Sequence, residues 1–302
     1  MKLWYNKLKR FSFGKSLPLA IALSLSSTAA FAGDPFRSTN PRNIDDKTEE
    51  AFQILFREGN YKEAKTYLSR NEYGQTIDPL AHALRAAIGY TEKDKETLRI
   101  YGGKTLVAAE RLQGRDPFRG NLYTAVGHFL EGAYIFETEG AFAALPKLQK
   151  VFHYFGKAEK QNASDPELNL IQGYMELLLA VNLPFADIDK AIANFQDNAA
   201  PDYLVNRGIA VAYRDLEQYD KALPFVDRAM EITPNNPELY YLKAQILHEQ
   251  GRDKKQMYLI KLALQHFDRA LEDADQLPPE ILKSLRWERN RAKQRIDGLR
   301  GF

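Results

Sequence analysis

The sequence predicts an all-α chain, a solenoid of antiparallel helical hairpins closed by a C-terminal capping helix, and three observations carry that prediction. Apolar residues recur at intervals of three and four through almost the whole chain after residue 44, the spacing of one helix face. Short polar or glycine-containing turns separate these runs into pairs, and two amphipathic helices joined by a short turn pack antiparallel. One unit, Tyr203 to Pro237, recurs in outline a fixed distance further on, with Asn206 answered by Tyr240.

That unit is the clearest. Leu204, Ile209, Ala212 and Tyr213 form one apolar face, Glu217 and Gln218 a polar turn, and Tyr219, Ala222, Leu223, Val226, Ala229 and Met230 the facing stripe. Ala210 with Tyr213, Ala222 with Val226, and the closing Pro234 resemble the signature of the tetratricopeptide repeat, and Tyr240, Ala244, Leu247 and Gly251 continue it at the period of that family. Asn206 departs from it by standing where the family has Trp. The resemblance implies a right-handed stack of hairpins in which small residues sit where helix backbones cross.

In chain order, a basic start (Lys2, Lys7, Lys9, Arg10, Lys15), an apolar run from Leu17 to Ala30 and the small-x-small end Ala30-Phe31-Ala32 predict a signal peptide over residues 1–32. The run is too short and too rich in serine for a membrane span. Residues 33–44, interrupted by Pro35 and Pro41, suit a flexible leader or an extended strap. A repeat array is expected over residues 45–277. Its first hairpin runs from Asp45 to Leu68 with its turn at Gly59-Asn60, and Phe52 occupies a slot that ordinarily takes a small residue. Asp78-Pro79 opens the next, over Leu80–Tyr90 and Leu98–Leu112, as a capping residue followed by proline. A third, rich in aromatics, covers Leu122–Phe136 and Ala144–Lys160, and Asp165-Pro166 starts a fourth, with Gly173 in its small slot. Beyond Pro237 the second helix is displaced by about two turns, which keeps its apolar face in place and predicts longer helices rather than a loop. Residues 278–302 form the capping helix, carrying Lys283, Arg286, Arg289, Arg291, Lys293, Arg295 and Arg300. A polar last helix stops a repeat array from stacking further, and a basic docking surface is the other role such a helix can have.

Of 302 residues, 44% are hydrophobic and 27% charged, an ordinary balance for a soluble globular chain. The absence of cysteine excludes disulfides, thiolate metal sites, a cysteine nucleophile and a lipoprotein anchor. The signal segment holds five of the 42 Lys and Arg and none of the 40 Asp and Glu, leaving 37 against 40 in the exported chain. The basicity of the whole therefore belongs to the targeting segment, and nucleic acid is not an expected partner. The five histidines lie on separate predicted helices, none three or four residues from another, and no phosphate-cradling glycine loop or nucleophile elbow is present. The reading is of a protein that is not an enzyme and has no cofactor and no metal.

The resemblance further implies that the first helix of each hairpin lines a concave groove. The expected partner-binding residues are then Tyr174, Arg207, Arg214, Tyr241, Gln245 and His248, with the tyrosines as anchors and the arginines holding a carboxylate. Leu177 and Leu178 on the same stripe read as core. Arg207 and Val211 stand where the family's clamp for chaperone C-termini has Lys and Asn, so that specificity does not transfer. The partner would be a protein or peptide, with no stable membrane insertion once the signal is removed. The alternative is a small-ligand or lipid pocket among the middle aromatics Phe129, Tyr134 and Phe152. The layout as a whole is similar to secreted tetratricopeptide proteins of cyanobacteria, which implies a periplasmic or thylakoid-lumen location and no established activity; the reading is of a protein-interaction module or assembly factor.

Overall fold

The computed structural model describes residues 34–69, 78–182 and 188–298. The signal peptide expected over 1–32 lies outside them, as do residues 299–302. Among the described residues there are thirteen α-helices and no strand. They are α1 (Asp46–Phe56), α2 (Tyr61–Ser69), α3 (Pro79–Thr91), α4 (Lys95–Leu112), α5 (Pro117–Glu139), α6 (Ala141–Glu159), α7 (Pro166–Asn182), α8 (Ile188–Asn198), α9 (Asp202–Asp215), α10 (Tyr219–Ile232), α11 (Pro237–Asp253), α12 (Met257–Glu272) and α13 (Pro279–Gly298), with a 3-10 turn at Ala274–Gln276. Contacts divide them into two compact units, one of residues 34–52 and 64–172, the other of 53–63 and 173–298. Within the first, α3 packs on α4, α4 on α5 and α5 on α6; within the second, α9 to α13 pack in sequence. Three pairs of successive first helices also touch, α3 with α5, α9 with α11 and α11 with α13.

Four of the hairpins share one turn. In α3–α4, α9–α10 and α11–α12 the middle turn residue is left-handed, with φ of 61° at Lys93, 61° at Glu217 and 55° at Lys255. Gly59 fills that place in α1–α2 with φ 73°. The following amide closes each helix onto the carbonyl five or six residues back: Asp94 to Gly89, Gln218 to Tyr213, Gln256 to Gly251 and Asn60 to Ile54, at 2.8–3.2 Å. Such a bond satisfies carbonyls that the helix end would leave bare. The extra residues of the last hairpin lengthen its helices, to 17 and 16 residues in α11 and α12 against 14 each in α9 and α10, and the connection stays short.

Small residues hold the close approaches. Ala222 and Ala244 have no exposure. A Cβ on Gly173 would fall 2.3 Å from the Phe195 ring, and one on Gly208 would fall 2.9 Å from both Phe195 and Tyr174. Gly173 was legible as a small slot; Gly208 escaped the sequence reading because its neighbour Ala210 already satisfied the motif.

In the first unit the helix starts converge on an ionic cluster. Asp78, Asp116 and Asp165 cap α3, α5 and α7, accepting from the amides of Leu80 (2.9 Å), Arg119 (3.0 Å) and Glu167 (3.0 Å). The third aspartate-proline pair, Asp116-Pro117, starts α5 five residues before the predicted Leu122. Arg119, fully buried, donates to both oxygens of Asp78 at 3.1 and 3.2 Å and through Nε to Glu167 at 3.2 Å, while the Tyr123 hydroxyl donates to Glu167 at 2.7 Å. Desolvation pulls the Arg119 pKa down, but Glu167 and Asp78 outweigh it and hold the guanidinium well above its ordinary value.

The leader joins this cluster. Asp34 accepts from the amides of Phe36 (2.9 Å) and Arg42 (2.7 Å), Arg37 donates to Asp34 at 2.8 Å, and Arg42 bridges Asp116 and Asp165 at 2.9 and 3.0 Å with its guanidinium 4.3 Å from the Phe118 ring centroid. Phe36 stacks edge-on against Phe52, ring centroids 5.0 Å apart. Residues 34–42 are thus bonded to the cluster, and Phe36 packs against Phe52 in its slot.

In the second unit His266 stacks on Tyr240, and its pKa is pushed down to about 4 by burial and by Lys243. The folded state thus resists protonating a group that the unfolded chain protonates near 6.5. Stability is expected to be full above that value and to decline as pH falls from about 6.5 towards 4. Thermal melts across this range should show a shallower acid-side decline for His266→Gln than for the parent.

Candidate functional site

The first helices of the second unit carry the expected partner-binding residues, and the structure brings most of them into one row. Arg214 on α9 donates through Nη1 to Gln245 Oε1 on α11 at 2.8 Å, and Gln245 Nε2 donates to Glu288 of α13 at 3.1 Å. The Tyr241 hydroxyl donates to the same carboxylate at 3.0 Å. Burial and then Glu288 push the Tyr241 pKa up, so this hydroxyl stays a donor. One continuous chain of polar side chains thus crosses three helices, because repeat stacking sets successive first helices side by side.

Exposure is where the expectation needs correction. Arg207, Arg214, Tyr241, Gln245 and His248 are all buried, not open groove anchors. Tyr174 is half-buried, donating its hydroxyl to the Leu204 carbonyl at 2.6 Å with its ring edge-on to Phe195. His248 lies beside Glu249 at 3.2 Å and edge-on to Phe267. Sequence spacing places a side chain on a face, but whether that face is open depends on what packs over it.

Next along the row the hydrogen bonding is incomplete. Arg207 Nη2 stands 3.3 Å from Glu238 Oε2, both residues being buried in the contact of α9 with α11. Arg207 Nη1, the Tyr203 hydroxyl and both Glu238 oxygens have no aligned hydrogen-bond partner among the described residues. Burial pushes the Arg207 pKa down to about 10, Arg214 adding to the effect against Tyr174, and burial raises that of Glu238. The repeat geometry puts Glu238 on the groove stripe of α11 with Tyr241, Gln245 and His248, although it was not among the expected partner-binding residues, and Tyr203 was not assigned to the groove.

The middle aromatics do not line a closed cavity together: Phe152 is 46% exposed, while Phe129 and Tyr134 are half-buried. Leu177 is core, and Leu178 is half-buried. Among the described residues no three His, Asp or Glu side chains are grouped to hold a metal ion.

Two family models match the chain, both described as tetratricopeptide repeat, one over residues 208–236 and one over 225–257. Over this stretch the chain is similar to the tetratricopeptide repeat. The stretch contains α10, α11 and most of α9, and so two of the three helices of the polar row. No curated protein and no solved structure matches the chain. Tetratricopeptide repeats suggest a protein-interaction scaffold.

Proposed function

We propose that this chain is a secreted tetratricopeptide scaffold that holds a protein or peptide partner along the row formed by α9, α11 and α13, acting in the periplasm or thylakoid lumen as an assembly factor. The observation that carries the reading is the unmet hydrogen bonding of Tyr203, Arg207 and Glu238. Buried polar groups are nearly always bonded, and because these are closed off in the contact of α9 with α11, a partner would meet them only as that contact opens. Arg207 would take a carboxylate or carbonyl, Glu238 an amide or a cation, and Tyr174 the apolar part of the same segment. The basic N-terminal segment with its small-x-small end supports the secreted part of the reading.

The test removes the pair together. Arg207→Met with Glu238→Gln keeps the volume and leaves no lone buried charge, so the melting temperature should stay within a few degrees of the parent. A partner recovered by affinity capture from the envelope fraction with the parent should be lost with the double variant. Equal recovery would remove the row from the site, whatever the partner. Arg207→Ala alone is expected to lower the melting temperature as well, because it strands Glu238 in the interior.

A further inference from the structure

We propose that the outward face of α6 is a docking surface for an anionic lipid bilayer. This goes beyond the scaffold reading and rests on a helix of the other unit. The inward face of α6 is ordinary core: Val151, Phe155 and Ala158 are buried. On the opposite side Phe142 is 71% exposed, Leu145 46% and Phe152 46%, three large apolar side chains spaced by three and seven residues and so aligned in one stripe. The neighbouring arc of the same face carries exposed Lys150, His153, Lys157 and Lys160, and the helix's one exposed carboxylate, Glu159, lies at its end, seven residues beyond Phe152. None of these three lysines forms an ion pair among the described residues, whereas Lys147, nearer the core, is held by Glu131.

An apolar stripe of this size left to water on a single helix marks a contact surface. The sorting of its residues identifies what it contacts. Aromatic and aliphatic groups on one arc and lysines on the next let a helix lie in the plane of a bilayer, with its rings at the acyl boundary and its ammonium groups at the phosphates. Lys157 sits next to an aromatic ring, its ammonium lying 4.6 Å from the Tyr154 ring centroid. Charge complementarity selects anionic over neutral lipid. No described helix is long and apolar enough to cross a membrane, so the contact is peripheral.

The test uses protein expressed from the full coding sequence and processed by the host. Co-sedimentation with vesicles of phosphatidylcholine alone is compared with that of vesicles to which phosphatidylglycerol is added. The parent should bind the anionic vesicles about tenfold more tightly or better, with affinity falling as salt rises. Phe142→Ser with Leu145→Ser, and separately Lys150→Glu with Lys157→Glu, should each lower that binding about tenfold while leaving the thermal melt in place, since all four side chains are exposed. Binding by either pair equal to the parent's would overturn the proposal, as would indifference to lipid charge. So would a self-associated parent that the serine pair converts to monomer, which would make the stripe a contact between copies of this chain.

Discussion

Ala222→Glu is expected to unfold the α9–α10 hairpin and to lower the stability of the second unit by roughly 3 kcal/mol or more. Ala222 has no exposure, and α10 packs against α9 on one side and α11 on the other. Glutamate adds four heavy atoms and a charge to a fully buried site, so both overpacking and desolvation act in the same direction. Urea unfolding followed by circular dichroism measures the loss. Ala222→Ser, smaller and neutral, should cost much less, and a glutamate variant melting with the parent would show that the helix crossing is not at Ala222.

Arg119→Met is expected to cost about 3–5 kcal/mol in the first unit. Methionine conserves much of the volume, but Asp78 and Glu167 are then left buried beside each other without the guanidinium that now bonds both. The loss should shrink in acid, where the stranded carboxylates take up protons, and adding Glu167→Leu should recover part of it. A single variant within about 1 kcal/mol of the parent would mean that the cluster is not held by its arginine. The leader is expected to respond too, since Arg37 and Arg42 reach the same group of carboxylates and should be cut sooner by protease when it loosens.

Much of this architecture was legible because it is local. Asp78-Pro79 and Asp165-Pro166 announce helix starts through the cap and the fixed φ of proline, and the apolar stripes of α9 to α12 repeat with the helix period. Asp116-Pro117 carries the same signal but went unread, because the aromatics that follow it drew the predicted start to Leu122. The candidate row was legible only as a register: Tyr174, Arg207, Arg214, Tyr241, Gln245 and His248 were assigned to one face by the family geometry, and most of them do lie on neighbouring first helices. Their burial, the missing bonds of Glu238 and the bridge to Glu288 could not be read, since each depends on a residue 30 or more positions away.

What the sequence determined by itself is therefore the set of helices, their pairing into hairpins and the small residues at their crossings, because each follows from interactions within a few turns of chain. What only the tertiary structure decided is which polar groups meet and which faces stay open. Arg37, Arg42 and Arg119 find Asp78, Asp116, Asp165 and Glu167 because stacking brings distant helix starts together, and Phe142 is exposed because no described part of the chain packs over it. Long-range contacts depend on packing geometry summed over many residues, and no short stretch of sequence carries that sum.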